Sequence, residues 1–311
     1  MKYRRLGSSG LKVSEVGLGC NNFGMKIDQA QTTAVVGAAL DAGITLFDTA
    51  DVYGGTRSEV MLGQALGARR DDIVLATKFG IPLGAAPYSG GGSRRYILRA
   101  VEASLTRLGT DHIDLLQMHR PDAETPIDET LRALDDLVSS GKVRYIGNSN
   151  YSGWQIADAD WTARAAHQTR FVSAQNLYSL LERQVEDEIL PACARFGLGF
   201  LPFFPLASGL LTGKYRRGEA PAEGTRLAAW GARGAAALSD RNFDRVEALT
   251  GWAEARGHTV LELAFAWLLG SPVVSSVIAG ATSPEQVAAN AATADWVLTP
   301  EEVDAVRALV K

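Results

Sequence analysis

Residues 44–53 read ITLFDTADVY, an apolar run that ends in Asp48 and is followed by Tyr53. Two later runs behave alike: IVLAT (73–77) leads into Lys78, and IDLLQM (113–118) leads into His119. If these runs are consecutive strands of a parallel barrel, the four side chains converge at its carboxyl-terminal rim, where such barrels carry their chemistry. Asp, Tyr, Lys and His at one rim form a proton-transfer set. A tyrosine gives up a proton near neutral pH only when something stabilises its phenolate; a neighbouring ammonium does this, and a carboxylate would hold the ammonium.

The rest of the chain supports a barrel. Tyr3–Arg5 and Leu11–Ser14 around GSSG suggest a short hairpin. Strand and helix patterns then alternate. Expected strands are Val16–Leu18, Ile44–Phe47, Ile73–Thr77, Ile113–Met118, Val143–Ile146, Phe171–Ala174, Gly199–Phe203 and Ser276–Ile278. Expected helices are Asp28–Asp41, Ser58–Leu66, Arg94–Leu108, Asp128–Ser139, Trp154–Ala166 and Val185–Phe196. Eight short, nearly all-apolar strands alternating with helices predict an α/β fold, an eight-stranded parallel (β/α)8 TIM barrel with an N-terminal hairpin. No composition shift divides residues 1–311, which read as a single barrel domain. Residues 206–239 and 81–93, rich in small residues, are expected to form extended loops over the mouth.

Composition narrows the function. The 311 residues are 46% hydrophobic and 21% charged, ordinary for a globular enzyme. A net charge of −4 and a pI near 5.7 argue against nucleic acid or an anionic membrane as partner. Cys20 and Cys193 make no disulfide framework, and the opening MKYRRLGSSGLKVSE has no apolar secretory core, so a reduced, cytoplasmic setting is expected. Pro202 and Pro205 break one apolar stretch, and Glu262 and Pro272 another, so no membrane span is read. His112, His167 and His258 have no partners at ligand spacing, so no metal site is proposed.

The rim inventory extends past His119. Strand five ends in Ser149 and Asn150 and strand six in Gln175, donors and acceptors suited to a primary carboxamide such as that of nicotinamide. FFPLASGLLTGKY (203–215) offers aromatic faces, small residues and the Lys214 cation. In GATSPEQVAAN (280–290), Ser283 is a good N-cap, Pro284 fits the first helical position and Gln286 should complete a capping box. A helix starting this way aims free N–H groups at the rim, which suits a phosphate.

GLGCNNFG, LFDTADVYG, LATKFG, QMHRPD, GNSN, QNLYSLLER, PLASGLLTGKY and GATSPEQ occur in this order, and together they resemble the aldo-keto reductase superfamily over almost the whole chain. The likeness is to its long-loop bacterial type, related to the potassium-channel beta-subunit branch. The resemblance implies a barrel that reduces carbonyls with NAD(P)H and lacks a GxGxxG domain; the nearest approach here, at Gly17 and Gly19, fails at Asn22. It implies Tyr53 as general acid, Lys78 as the ammonium that lowers the phenol's pKa, Asp48 as its ion-pair partner, and His119 as the residue that orients the carbonyl. Ser149, Asn150 and Gln175 match contacts to the nicotinamide carboxamide, and Phe203 the aromatic stacked on its ring. Leu206, Ser208 and Lys214 match a pyrophosphate loop, with Arg226 a further phosphate contact; Thr282, Gln286 and Asn290 match adenosine-phosphate contacts. Cys20, Asn21, Asp48, Phe204, Pro205 and Gly280 complete the expected cofactor groove. Phe204, Ala289, Cys20 and Asn148 depart from residues usual in the family, and none belongs to the catalytic four.

Singly, each of the four has an ordinary structural reading: His119 a satisfied strand-end histidine, Lys78 a rim ion-pair partner, Asp48 a loop or cap residue. Their joint placement at three consecutive strand ends favours chemistry. The expected function is reduction of an aldehyde or ketone to the alcohol, with NADP(H) preferred, NAD(H) possible, and a small-molecule carbonyl as partner. A nucleotide-binding, redox-sensing regulatory subunit with slow turnover is the alternative. A barrel isomerase or aldolase is disfavoured by the Ser149, Asn150 and Gln175 set.

Overall fold

The computed structural model describes residues 1–310 and arranges them as eight parallel strands wrapped by helices. The antiparallel hairpin of β1 (Tyr3–Arg5) and β2 (Lys12–Ser14) comes first. Then follow β3 (Val16–Gly19), α1 (Gln29–Asp41), β4 (Leu46–Asp48), α2 (Arg57–Leu66), β5 (Val74–Phe79) and α3 (Arg94–Leu108). The middle holds β6 (Ile113–Met118), α4 (Ile127–Ser139), β7 (Val143–Ser149), α5 (Gly153–Ala165), β8 (Ser173–Leu177) and α6 (Ile189–Phe196). After β9 (Gly199–Phe203) come the short α7 (Arg226–Ala229) and α8 (Ala232–Ala237), then α9 (Asp240–Glu254) and α10 (Val260–Leu269). Last are β10 (Val277–Gly280), α11 (Pro284–Ala292) and α12 (Pro300–Leu309).

Each barrel strand pairs in parallel with its sequence neighbour, and β10 returns to pair with β3. The seam beside β9 is closed by the chain just before β10: the Phe200 N–H donates to the Val273 carbonyl at 2.8 Å, and the Ser275 N–H to the Phe200 carbonyl at 3.0 Å. The chain thus forms a (β/α)8 barrel. Among the described residues no helix is long and apolar enough to cross a membrane.

Two apolar layers result from the period of two along each strand. Leu46, Val74, Ala76, Leu115, Leu201 and Ile278 point into the barrel, joined by Leu6 and Val13 of the hairpin region, which stopper its amino-terminal end. Phe47, Leu75, Leu116, Ile146, Ala174 and Phe200 point outward and pack under the helices. Each fully buried Leu, Ile or Phe among them is worth about 1.5–3 kcal/mol. Continuing the inward row two residues at a time leads from Leu46 to Asp48, from Val74 through Ala76 to Lys78, and from Leu115 through Gln117 to His119. The barrel's interior therefore changes from apolar at the bottom to polar at the top.

Helix starts follow the caps. Asp28 with Gln31, Ser152 with Gln155, Thr259 with Glu262 and Thr299 with Glu302 form reciprocal capping boxes. α3 ends where Gly109 takes φ 64°, a left-handed exit that glycine adopts without a Cβ clash.

Several expectations need correction. β5, β7, β8 and β10 run further toward the rim than their apolar cores, so Lys78, Ser149, Gln175 and Gly280 lie inside strands. The expected helix over 185–196 is split into a turn at Gln184–Glu186 and α6. Pro191 is the cause: lacking an N–H, it fits only a first turn, so the helix restarts just before it. The segment 206–239 contains a 3-10 stretch, Ala207–Thr212, besides α7 and α8. The capping box at α11 does not form. The Ser283 side chain accepts from the Gln286 N–H, but Gln286 Oε1 takes the Thr282 N–H at 2.9 Å and its hydroxyl at 3.1 Å. The sequence reading left α9, α10 and α12 unassigned.

Candidate active site

Lys78 is fully buried at the end of the inward row of β5. Its three N–H directions are all taken: Asp48 Oδ2 at 2.5 Å, the Thr49 carbonyl at 2.9 Å and the Tyr53 hydroxyl at 3.5 Å. Asp48 Oδ1 accepts from Gln117 Nε2 at 3.1 Å and Gln175 Nε2 at 3.0 Å, so both carboxylate oxygens are satisfied. Burial works against the Lys78 charge, but Asp48 and then Tyr53 outweigh it and hold its pKa above the usual lysine value.

For Tyr53 the balance is different. Burial pushes the phenol up, Lys78 pulls it down and Asp48 pushes it up again, leaving it above 10.0. The ammonium acts in the expected direction, yet desolvation exceeds it, so the phenol is a proton holder at neutral pH. The Tyr53 ring meets His119 edge-on, with centroids 5.7 Å apart. Burial, followed by Lys78 and Arg120, pushes the imidazole down to about 3, so His119 is neutral. Its backbone is fixed on both sides: its N–H donates to the Phe79 carbonyl at 2.8 Å, and its carbonyl accepts from Asn150 Nδ2 at 2.9 Å. Asn150 also donates to Ser149 Oγ at 3.0 Å, from a backbone held at φ 61°.

A cavity of about 800 Å³ opens above this group. Its inner end is bounded by Asp48, Tyr53, His119, Ser149, Asn150 and Gln175; Lys78 lies behind the wall, reached only through its partners. Cys20 and Asn21 after β3, and Gly280 at the end of β10, form one side. Burial, and then the Asp48 charge, keep the Cys20 thiol well above its usual pKa. Phe203, Phe204, Pro205, Leu206 and Ser208 line the middle, and Thr282, Gln286 and Asn290 the outer end. Thus every anticipated wall residue is on the wall, whereas Ser283 is not.

The middle of the cavity is electropositive, lined by Lys26, Lys214 and Arg226. Phe204, Ala207 and Ser208 all have positive φ (52°, 46° and 60°), and Gly209 follows at 102°. The segment is held by its own turns, the Ala207 N–H donating to the Phe204 carbonyl at 2.9 Å and the Gly209 N–H to the Leu206 carbonyl at 2.8 Å. Gly209 holds φ 102°, which a Cβ would strain, and an added Cβ would lie 2.7 Å from Lys214 Cε and displace it. Phe204 tolerates its conformation because it is packed from three sides: Phe203 at 5.4 Å, Trp230 at 6.0 Å and the Arg226 guanidinium at 4.9 Å. Burial depresses the Arg226 pKa, and burial followed by Arg226 and Lys214 depresses that of Lys26. Among the described residues, none of these three cations pairs with a carboxylate.

Two of these residues escaped sequence reasoning. Gln117 was readable, because it occupies an inward position between Leu115 and His119 where an amide needs a partner. Lys26 sits in a turn between β3 and α1, and no local pattern marks it as facing Lys214, which follows it by nearly two hundred residues.

Fold and site together define a class: a (β/α)8 barrel with a buried, hydrogen-bonded Asp48–Lys78–Tyr53 group under a long electropositive cleft at its carboxyl-terminal rim. The aldo/keto reductase family model matches residues 15–311, and the chain belongs to that family, whose members are oxidoreductases that generally use nicotinamide cofactors. It is 39% identical to a probable voltage-gated potassium channel subunit beta of Oryza sativa subsp. japonica, covering 100% of this chain and 97% of that one. An uncharacterized oxidoreductase, YrpG, of Bacillus subtilis is 39% identical over 92% of this chain and 89% of its own. The versiconal hemiacetal acetate reductase of Aspergillus parasiticus is 35% identical, with 97% and 95% covered.

Proposed function

We propose that this chain, acting as one barrel domain, is an NADP(H)-dependent reductase that interconverts an aldehyde or ketone with its alcohol. The observation that carries the proposal is the Lys78 ammonium, enclosed with Asp48 and Thr49 and turned through its third N–H to the Tyr53 phenol, which faces the cavity. The cleft suits a dinucleotide: amide and hydroxyl groups at its inner end, cations without carboxylate partners in its middle, and a helix start at its outer end.

Bound there, the reduced nicotinamide supplies the hydride for a carbonyl carbon. Tyr53 gives its phenolic proton to the carbonyl oxygen, and Lys78 stabilises the phenolate left behind. Asp48 fixes Lys78, while Gln117 fixes Asp48. Neutral His119 orients the carbonyl without competing as an acid. Gln175 commits its N–H to Asp48, and Asn150 commits its own to His119, so each meets a carboxamide through its free amide oxygen. Ser149 keeps a hydroxyl donor. Phe203 flanks the nicotinamide ring; Leu206, Ser208, Lys214, Arg226 and Lys26 hold the phosphates; Thr282, Gln286 and Asn290 hold the adenosine end.

The test is aldehyde reduction by Tyr53→Phe, with cofactor binding followed separately by fluorescence. The phenyl ring should keep NADPH binding while the rate falls by about 10²–10⁴, the usual weight of general acid catalysis. Retention of more than roughly a tenth of the rate, where chemistry limits turnover, refutes Tyr53 as the donor. The channel-subunit relatives bring back the regulatory alternative, in which the same site turns over slowly; the absolute rate with a reactive aldehyde separates the two.

A further inference from the structure

Between Asp48 and Tyr53 lies a carboxyl group that this chemistry does not use. Asp51 is wholly buried. Its N–H donates to the Lys78 carbonyl at 3.0 Å and that of Thr49 to the Ala76 carbonyl at 2.9 Å, so the chain leaving β4 is stitched along β5. The turn then closes with the Tyr53 N–H on the Ala50 carbonyl at 3.2 Å. Where Asp51 sits therefore fixes where the Tyr53 phenol meets Lys78.

The Asp51 side chain is only half satisfied. The Tyr96 hydroxyl on α3 donates to Oδ2 at 3.2 Å, and Oδ1 has no partner. The charged groups facing it are Glu59 on α2 and Arg107 on α3; β5 offers it the Lys78 carbonyl. Glu59 is also wholly buried, taking the Arg107 Nε at 2.6 Å and the Thr77 hydroxyl at 2.6 Å. Arg107 Nη2 also lies 2.6 Å from Glu59 Oε2 and donates to Ser104 Oγ at 3.1 Å. One guanidinium thus serves two buried carboxyl groups, and it is committed to Glu59. A buried carboxylate with an orphan oxygen next to another carboxylate is better off neutral.

We propose that Asp51 is a positioning residue that works as a neutral carboxylic acid, holding the turn that carries Tyr53, and that its ionisation loosens this turn and slows proton delivery. This rests on the reading of Tyr53 as proton donor. Burial, and then Glu59, push the Asp51 carboxyl up to about 7 against the opposing Tyr96 bond and Arg107. The folded value lies above the unfolded 3.8, so the neutral form's stabilisation is complete below 3.8 and is lost as pH rises through about 7. Tyr53 titrates separately, because its phenol lies above 10.0.

The experiment compares the wild type with Asp51→Asn, an isostere of the neutral acid, in kcat for aldehyde reduction, in melting temperature and in infrared carboxyl absorption. In the wild type kcat should fall about tenfold as pH rises through the neutral range, modest beside the ~10² that a 1 Å misplacement can cost. In Asp51→Asn that limb should vanish. The variant should melt above the wild type in alkali, and the gap should close in acid. A protonated-carboxyl band should disappear from the wild type over the same range and be missing from the variant. Superimposable pH profiles, or a wild type without the titrating band, overturn the proposal. Should Asp51→Asn not fold, Tyr96→Phe keeps the carboxyl but removes its side-chain donor, and both limb and band should then move to higher pH; an unmoved band counts against the proposal. A Tyr53→Phe enzyme that keeps its rate sinks the proton-donor reading alone, since the band and the melting curves report on Asp51 either way.

Discussion

Replacing Lys78 by methionine keeps the length of the side chain and removes its charge from the most enclosed point of the site. Three contacts go at once, to Asp48 Oδ2, the Thr49 carbonyl and the Tyr53 hydroxyl. Breaking a buried ion pair from one side costs about 3–5 kcal/mol. Asp48 keeps two amide donors on Oδ1, which argues for the lower end, about 3 kcal/mol, with about 1 kcal/mol more for the carbonyl's lost hydrogen bond. At about 2 °C per kcal/mol for a chain of this size, the melting temperature should drop by roughly 8 °C. The double variant Asp48→Asn/Lys78→Met leaves no bare charge and should regain about half of that loss, because neutral replacement of a buried pair is often tolerated. Activity should behave differently. The phenolate loses its counter-charge in both variants, so kcat should fall by about 10²–10⁴ in each. Calorimetry and saturating aldehyde kinetics measure the two quantities. A double variant as unstable as the single one would show that the cost is not an uncovered carboxylate. Wild-type kcat in Lys78→Met would leave the lysine a structural role only.

Gln117→Leu removes a donor to the Asp48 carboxylate and should cost about 1.5–3 kcal/mol in denaturant unfolding; an unchanged midpoint removes Gln117 from the site's support. The unfolded value of 6.5 for His119 exceeds its folded value of about 3, so its stabilisation is present above 6.5 and lost as pH falls toward 3. His119→Asn should therefore show a shallower acid decline in melting temperature, and parallel curves contradict the neutral assignment. Lys26→Ala should weaken NADPH binding about 2–5-fold at low ionic strength, and the difference should shrink in salt; a salt-independent effect excludes a charge contact. GATSPEQVAAN contains no Arg or Lys, so NADPH should exceed NADH by only about 5–100-fold in kcat/KM, or about 1–3 kcal/mol. Parity between the cofactors refutes a 2′-phosphate site there.

The barrel was legible because its strands are short, apolar and separated by amphipathic helices, and because buried parallel strands have no other good solution. Asp48, Lys78 and His119 were legible for the same reason, each lying just beyond an apolar core, and Tyr53 follows Asp48 in the next turn. What stayed hidden is long-range or backbone-driven. Lys78, Ser149 and Gln175 lie within strands, since the ladder continues past the hydrophobic cores wherever polar inward residues find partners. Gln286 turned to Thr282 instead of closing a box with Ser283, a choice between two nearby donors that the box pattern does not distinguish. Three non-glycine residues in left-handed conformation between 204 and 208 follow from packing around Phe204, which no turn signature in FFPLAS announces. The helix α10 is apolar on nearly every face, so its period is invisible.

The stopper formed by Leu6 and Val13 has a kinetic side. With the lower end of the barrel sealed by side chains that solvent does not reach, Tyr53 and His119 open onto the cleft at the rim, which is their doorway. A long ligand lying in the cleft and a small one seated at its inner end must then share that doorway. Under the proposed function traffic is ordered: the dinucleotide enters before the carbonyl compound and departs after the alcohol. Its departure means disengaging from Lys26, Lys214 and Arg226 together, and that step, more than the transfer of hydrogen, is positioned to set the pace of turnover.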